Sequence, residues 1–195
     1  EAKLLQVLEP SPLEQKTPYQ PIPGAPYITL PLAEQHRYKK QSTLDLFKRI
    51  GQVTEPHALF DEFIASPITF HYRNKMEYSF SAVSYNAKSD AFEDEFVLGF
   101  KKRVPWLAVE PLQGDSGMFD KQLEDVIPQI QDYFKSRGFS AWHSKKNSGF
   151  CRMLAVKKSY AQNSLLLNLV TTSSQLDTFD SQHFTDFVKT ELGTR

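Results

Sequence analysis

The sequence predicts an α+β fold: a mostly antiparallel sheet with helices packed on one face. Four segments have strand-like patterns, namely residues 70–83, 92–100, 150–157 and 164–172. Turn residues gather at 86–90, which allows the second strand to return along the first as a hairpin. Long segments around these strands carry helical apolar spacing or helix end signals, and these favour helices over a second sheet.

The composition is that of a globular protein of about one domain. The chain has 195 residues, of which 40% are hydrophobic and 24% charged. Lys and Arg (23) balance Asp and Glu (23), so any polyanion site must come from a local patch. The single cysteine excludes an internal disulfide and is typical of a reducing, cytoplasmic compartment. No apolar run is long enough to cross a membrane, so we expect no membrane partner.

Proline dominates the region before the first predicted helix. Seven of the 12 prolines lie between Pro10 and Pro31. Because proline fixes φ and lacks an amide donor, we expect an extended connector there. The predicted organisation is a short strand within residues 1–9, a connector at 10–31 and one domain at 32–195. The chain begins without Met, and we expect it to be a segment of a longer protein.

A helix is predicted over residues 32–50. Leu44, Phe47 and Ile50 form a short apolar stripe along it, and Gly51 is expected to close it in the left-handed conformation. The basic residues along this helix are compatible with an ordinary solvated face or with an RNA contact.

The other helices are marked by their ends. Ser116 is expected to cap a helix that ends near Gly138, and Pro128 should kink or split it. The remaining predicted elements are a short helix at 56–64, a short strand at 106–109, the capped helix at 117–136 and a last helix at 180–192.

The segment 70–81 alternates with period two, which predicts a strand with one buried and one charged face. Arg73 and Lys75 fall two residues apart on the charged face, about 6.6–7 Å by strand rise. Such a face is most often solvated, with cross-strand ion pairs each worth less than about 1 kcal/mol. The residues predicted on the buried face are Phe70, Tyr72, Met76, Tyr78 and Phe80.

Three motifs in order resemble the middle domain of the RNA uracil-5-methyltransferase family, which uses S-adenosylmethionine. Residues 72–78 (YRNKMEY) resemble its signature strand Tyr-Arg-Asn-Lys-Met-Glu-Phe, with Tyr78 in place of the Phe. Residues 97–103 (VLGFKKR) resemble its Leu-Gly-Phe segment with basic residues after it. Residues 150–173 resemble its Leu-Arg-His-Leu-Val-Val-Arg strand and Leu-Val-Thr partner. The resemblance covers most of the chain from Leu32 onward.

The N-terminal part departs from the family pattern. Residues 7–12 (VLEPSP) resemble the exit from the small RNA-binding barrel that precedes the middle domain, so residues 1–9 would be a remnant strand of it. Many relatives bind an iron–sulfur cluster through a Cys-Gly-Gly-Cys run. Here the corresponding residues are Ile22-Pro23-Gly24-Ala25, and neither Ile nor Ala can ligate iron. We therefore expect no cluster, as in the family's cluster-free branch.

The catalytic parts of the family are not expected in this chain. The family uses a cysteine thiolate that adds to the uracil ring and a glycine-bearing loop that binds the cofactor. Cys151 lies inside a strand-like run and is predicted to be a core residue, and no such loop exists. We expect no catalytic, cofactor-binding or metal site in this segment, and no activity of the segment alone. S-adenosylmethionine is implied for the parent protein only.

The resemblance implies that the segment positions RNA for a catalytic domain of the same parent chain, with transfer or ribosomal RNA as substrate. Arg73 and Lys75 are the first candidates, because their spacing matches successive phosphates. His71, Tyr78, Trp142 and His143 could stack on bases, although core or surface roles fit them better. The predicted RNA-binding residues are Arg73, Lys75, Lys101, Lys102, Arg103, Arg152 and Lys157.

Two other functions are compatible with these residues. One is a free-standing RNA-binding or adaptor module, which would lack a methyltransferase domain in its parent gene. The other is a protein-interaction domain whose basic residues form an ordinary surface, as the neutral net charge allows. A salt-sensitive complex with RNA would distinguish the two RNA-binding functions, the middle domain and the free-standing module, from the protein-interaction domain.

Overall fold

The computed structural model describes residues 8–86, 89, 91–102 and 108–193. Backbone contacts divide them into two units, one made of residues 8–18 and 26–69 and the other of residues 19–25 and 70–193. The strand predicted near the N-terminus lies almost entirely outside the described residues. Among the described residues, no helix has both the length and the apolar character that crossing a bilayer requires.

The first unit contains two helices, α1 (Leu32–Arg49) and α2 (Pro56–Leu59). The prediction of α1 is confirmed, but only Leu44 of its apolar stripe is buried. The expected left-handed residue is Gln52, with φ 54°, and not Gly51. Glycine is required at 51 for space, because a Cβ there would lie 2.7 Å from the carbonyl oxygen of Phe47. Helix α2 is shorter than predicted.

The second unit is built on a five-stranded sheet with strand order β2-β3-β1-β4-β5. All its pairings are antiparallel except that between β1 and β3. The α+β class and the mostly antiparallel sheet are thus confirmed. The strands are β1 (Lys75–Asn86), β2 (Ala91–Lys101), β3 (Val109–Pro111), β4 (Cys151–Ser159) and β5 (Ser164–Thr171); the helices are α3 (Lys121–Ser136) and α4 (Ser181–Leu192), with a 3-10 turn at Leu176–Thr178.

The helices α3 and α4 cover one side of the sheet, which we call the inner face. Met76, Tyr78 and Phe80 of β1 are buried there. They join one apolar cluster with α3, whose residues Leu123 and Ile127 are fully buried. Burying such side chains stabilises the fold by roughly 1.5–3 kcal/mol each. The opposite side of the sheet, the outer face, carries neither α3 nor α4.

The outer face follows from the cross-strand pairing. Lys75 pairs with Lys157, and Ser79 pairs with both Met153 and Gly99. Since side chains alternate along each strand, these pairs fix the whole set. The outer face carries Lys75, Glu77, Ser79 and Ser81 of β1, Lys101 of β2, Met153, Ala155 and Lys157 of β4, and Leu166, Asn168 and Val170 of β5.

The predicted strand start at Phe70 is wrong, because β1 begins at Lys75. His71 has a φ of 55°, a left-handed conformation that breaks the alternation. Phe70 and Tyr72 are consequently 39% and 48% exposed instead of buried. Arg73 therefore does not share a strand face with Lys75, and the predicted spacing between them does not hold.

The 70–73 segment is held by a neighbouring loop instead of the sheet. The His71 N–H donates to the carbonyl of Gly117 (2.8 Å), and the Arg73 N–H donates to that of Met118 (3.1 Å). The Tyr160 hydroxyl donates to the carbonyls of both His71 and Arg73. Because these backbone groups are already paired, the segment cannot extend β1.

The start of α3 also differs from the prediction. Its N-cap is Asp120, whose carboxylate accepts from the N–H of Leu123 (3.0 Å). Ser116 does not cap, because its hydroxyl donates to the carboxylate of Glu124 (2.8 Å). The helix continues through Pro128 without being split.

The predicted ends of the last two helices are confirmed. Gly138 follows α3 with a φ of 74°, and Asp180 caps α4 by accepting from the N–H of His183 (2.9 Å). Residues 103–107 lie outside the described residues, so the strand predicted at 106–109 is described only from β3 onward.

An extended segment at 141–143 lies between β1 and β4 where their direct pairing ends. The Trp142 N–H donates to the carbonyl of Cys151 (2.9 Å), and the Trp142 carbonyl accepts from the N–H of Ala82 (3.0 Å). Gly149 permits this arrangement, since it has a φ of 126° and a Cβ there would overlap the carbonyl oxygen of Ala141. The backbone thereby fixes Trp142 at the edge of the outer face.

Candidate nucleic-acid interface

Four of the seven predicted RNA-binding residues lie on or beside the outer face, and their side chains are exposed. Lys75 and Lys157 face each other at one end. Arg152 lies five residues back along β4 from Lys157, about 17 Å away by strand rise. Lys101 of β2 lies at the same end as Arg152, and both line one pocket. The sheet thus holds two pairs of cations on one side, at two ends of one exposed track.

Lys75 and Lys157 form a like-charge pair across neighbouring strands. Such pairs cost stability when the two cations lie directly opposite. Glu77 offsets part of the repulsion, because its carboxylate lies 2.7 Å from the Lys75 ammonium. Both partners of this ion pair are about half exposed, with relative side-chain areas of 53% and 48%. It is therefore weak and exchanges readily for another anion.

The other end of the track is a pocket of about 260 Å³. A β-bulge between Cys151 and Met153 brings Arg152 and Met153 to the same cavity. The guanidinium carbon of Arg152 lies 4.1 Å from the centroid of the Trp142 ring, within cation–π range. We call this cavity the outer-face pocket; it is lined by Ser79, Phe80, Ser81, Lys101, Val109, Trp142, Ser144, Arg152, Met153 and Val170.

Arg73, the first candidate from the sequence, lies away from this face. Its guanidinium donates to the carbonyl of Gly24 (3.4 Å) and approaches the sulfur of Met76 (3.9 Å). Its side chain is only partly exposed. These contacts join residues 19–25 to the start of β1.

The two remaining predicted cations add little to the outer face. Lys102 lies past the end of β2, and its ammonium lies 2.8 Å from the centroid of the Tyr85 ring. Arg103 lies outside the described residues.

Of the four aromatic candidates, only Trp142 lines the outer-face pocket. Tyr78 is fully buried and its hydroxyl donates to Glu124 (3.2 Å), so it cannot stack on a base. Burial also raises the pKa of Tyr78 well above its ordinary value. His71 lies 3.0 Å from the carboxylate of Asp115, and His143 accepts from the N–H of Lys146 (3.4 Å).

Trp142 lies beside Arg152 at the pocket, a placement that the sequence patterns did not predict. It lies in no regular strand, and it precedes Arg152 by ten positions in the sequence. The residue that allows the hairpin between Trp142 and Arg152 to close is Gly149, which has a positive φ. The φ of a glycine cannot be predicted from a single sequence.

Cys151 is a fully buried core residue, as predicted. Burial raises the pKa of its thiol to about 12, so the thiolate needed for a nucleophile is scarce at neutral pH. Ile22, at the position where the family resemblance would place a cluster ligand, packs in the apolar core. These side chains do not fit an iron–sulfur cluster. Within the described ranges, no three His, Cys, Asp or Glu side chains gather as a metal site would require.

Known proteins similar to this chain are named RNA methyltransferases. No family model matches the chain. An uncharacterised RNA methyltransferase of Chlorobaculum tepidum is 28% identical over 183 residues, which covers 88% of this chain and 37% of that protein. One of Clostridium tetani is 26% identical over 195 residues, covering 96% and 39%. The tRNA (uracil(54)-C(5))-methyltransferase of Pyrococcus furiosus is 25% identical over 126 residues, covering 65% and 27%.

A solved structure shares the fold. The tRNA (uracil-54, C5)-methyltransferase of Pyrococcus abyssi, in complex with S-adenosyl-L-homocysteine, superposes with a TM-score of 0.57 at 18% identity. The match covers 90% of this chain and 37% of that one. The chain therefore spans less than two-fifths of the length of these RNA methyltransferases, and it corresponds to a part of each.

Proposed function

We propose that this chain is the substrate-binding middle domain of an RNA (uracil-5-)methyltransferase, and that it positions transfer or ribosomal RNA for a catalytic domain elsewhere in its parent protein. The observation that carries the proposal is the pair of cation clusters held by one rigid sheet face. The similarity to proteins named RNA methyltransferases supports it. S-adenosylmethionine would bind in the catalytic domain, since the sequence here has no glycine-rich loop for it.

The like-charge pair of Lys75 and Lys157 favours a phosphate ligand over an empty surface. A phosphate between the two ammonium groups removes their repulsion and adds charge-assisted hydrogen bonds. Contacts of this kind fix the register and orientation of a nucleic acid without reading its sequence. A methyltransferase that acts on one uridine requires such positioning, because flipping the base out of the stack costs a few kcal/mol.

Helices α3 and α4 pack on the inner face, and the proposed RNA-binding surface is the outer face, where the four cations are exposed. Strand residues project from a hydrogen-bonded backbone, so the distance between the Cα atoms of the two cation clusters stays constant. Sites on rigid elements hold a ligand more accurately than sites on loops. The methyl-transfer chemistry is assigned elsewhere in the parent, because the only cysteine is buried and its thiol pKa is raised to about 12.

RNA binding across a salt series tests the proposal. The test variant is Lys75→Ser with Lys157→Ser, and the matched control is Lys135→Ser with Lys189→Ser, two exposed lysines on the helices. Each phosphate contact contributes about −0.7 to the slope of log affinity against log salt for single strands. We expect the test variant to lose up to about 1.4 of this slope and the control to keep it. Equal losses in both variants, or no binding by wild type, would contradict the proposal.

A second candidate function is a protein-interaction domain. The observation in its favour is an apolar groove of about 570 Å³ between β5 and α4. Leu165, Leu167 and Leu169 form its floor, and Phe184 and Val188 form its wall. This function predicts partner binding that is insensitive to salt and unaffected by the outer-face substitutions.

A further inference from the structure

We propose that the outer-face pocket binds one unpaired nucleotide of the RNA, with its base stacked on Trp142 and its phosphate held by Lys101 and Arg152. This inference rests on the proposed function and deepens it. The Lys75 and Lys157 pair would contact the phosphate backbone of the RNA, whereas the pocket would bind a single unpaired base.

The size of the pocket selects a single base over a duplex. Its volume of about 260 Å³ lies just below the range of roughly 300–1,000 Å³ that is typical of small-molecule sites. A flat heterocycle fits such a space, and a base pair does not. The pocket is also lined by both classes of group that a nucleotide needs, an aromatic face and two cations.

The contact between Arg152 and Trp142 shows how the base is received. Guanidinium planes and indole rings are both stacking partners for bases. The Arg152 side chain is exposed, whereas Trp142 is only partly exposed and backbone-anchored. Arg152 is therefore the partner that moves. An arriving base takes its place over the indole, and the released guanidinium turns to the phosphate, which Lys101 contacts from β2.

The rest of the lining provides a floor and a polar edge. Met153 and Val170 present apolar atoms to the cavity. Ser79 and Ser144 bring hydroxyl groups that can bond to the edge of a base. Ser81 is already bonded within its own strand, since its hydroxyl donates to the carbonyl of Val83 (2.9 Å). Two hydroxyl groups that each donate or accept give only a mild preference among bases.

The pocket is formed before any ligand arrives. The hydrogen bonds of Trp142 to Ala82 and Cys151 fix its backbone, and the close approach at Gly149 fixes the hairpin. A preformed stacking surface loses little conformational freedom on binding. A purely structural role for the Arg152–Trp142 contact would instead predict that its loss lowers stability and leaves RNA binding unchanged.

Trp142 fluorescence provides a direct test. The Trp106→Phe background leaves Trp142 as the sole tryptophan. We expect hexauridylate to quench it saturably, uridine 5′-monophosphate to quench it more weakly, and ribose 5-phosphate or inorganic phosphate not to quench it. Equal effects of all four probes would mean that the pocket recognises phosphate alone, and no quenching by hexauridylate would overturn the proposal.

Variants measured with hexauridylate separate stacking from charge. Trp142→Leu, which keeps an apolar side chain without a π-face, should lose about tenfold or more in affinity, and Trp142→Phe only a few-fold. Arg152→Lys should lose more than Lys101→Arg, because only the first replaces a planar guanidinium, which can hold the phosphate through two hydrogen bonds, with an ammonium. Circular dichroism and thermal unfolding verify the fold of each variant. If Trp142→Leu does not fold, the Phe variant and the quenching of the Trp106→Phe protein decide.

The control variant is Lys75→Gln with Lys157→Gln. It should weaken binding while leaving the amplitude of Trp142 quenching at saturation unchanged. If Trp142→Leu folds and binds hexauridylate like wild type while the control variant weakens binding, the pocket proposal fails and the proposed function stands. If neither variant changes binding, both fail.

Discussion

The 70–73 segment and the outer-face pocket each hold one arginine, and they use it in opposite ways. Around Arg73, backbone N–H groups, a guanidinium and the Tyr160 hydroxyl are all bonded to carbonyls of the same chain. Arg152 lies at the bulge of β4, and its guanidinium rests on an aromatic face beside a cavity. The first arginine joins parts of the fold, and the second is available to a ligand.

This difference shows what makes a cation useful for binding. The Arg73 guanidinium must lose its hydrogen bond to the carbonyl of Gly24 before it can contact a phosphate. A guanidinium held by a cation–π contact gives up about 0.5–1 kcal/mol at an exposed site. The structure therefore predicts that Arg73 serves stability and Arg152 serves affinity, although both occur in runs that resemble family motifs.

Gly149→Ala should have the largest effect on stability, because it disrupts the hairpin that holds Trp142 at the pocket. The new Cβ meets the carbonyl of Ala141 at a φ of 126°. We expect a loss of about 3 kcal/mol in the free energy of unfolding, from steric overlap and backbone strain together. Denaturant unfolding measures it. Gly114→Ala is the control, since no atom lies within 4 Å of the added Cβ, and a native-like Gly149→Ala protein would show that the hairpin does not hold Trp142.

The two arginines should respond to alanine in a crossed pattern. Arg152→Ala is expected to weaken RNA binding about tenfold, or about 1.4 kcal/mol, with stability within about 0.5 kcal/mol of wild type. Arg73→Ala should lower stability by about 1 kcal/mol and leave affinity within about twofold. Filter binding measures the RNA affinity of each variant, and denaturant unfolding measures its stability. A loss of affinity in Arg73→Ala alone would reverse the comparison.

Tyr160→Phe sharpens the account of the 70–73 segment. The hydroxyl donates to the carbonyls of His71 and Arg73 at an exposed position. We expect a loss of about 0.5–1 kcal/mol in stability and no change in RNA affinity. Tyr27→Phe, an exposed tyrosine of the other unit, is the control and should stay within about 0.5 kcal/mol of wild type. If Tyr160→Phe lowers stability no more than the control does, the hydrogen bonds to Gly117 and Met118 hold the 70–73 segment without the Tyr160 hydroxyl.

The smallest expected effect is a pH dependence next to the 70–73 segment. Burial raises the pKa of Glu124, and hydrogen bonds from Ser116 and Tyr78 offset only part of that. Because its folded pKa lies above the unfolded one, the folded state binds more protons, and stability falls as pH rises from about 4.5 through the folded pKa. Glu124→Gln should flatten this decrease. A series of unfolding curves measures it, and an equal slope in both proteins would contradict the assignment.

The sequence predicted those parts of the fold that depend on local periodicity. Met76, Tyr78 and Phe80 alternate and are buried, and α1 follows its apolar spacing and its end. The start of β1 could not be predicted, because a left-handed φ at His71 leaves the alternation of letters intact. A period of two says which residues can share a face, and the backbone decides where the strand begins.

The candidate site was predicted less completely than the fold. Cations on strands can be assigned to a face once the register is known, as for Lys75 and Lys157. The pocket depends instead on a bulge next to Arg152 and on a hairpin that returns Trp142 to the same place. Both are long-range outcomes of backbone packing, and they have no marker within the few residues around either side chain.

The buried thiol of Cys151 has a practical consequence. With its pKa raised to about 12 and its side chain fully enclosed, it should not react with maleimide dyes at neutral pH. A second cysteine placed at the exposed position of Lys145, in the hairpin after Trp142, would then be the sole labelling site. A single-dye protein of this kind would report the binding of RNA by fluorescence anisotropy, without any need to replace the native Cys151.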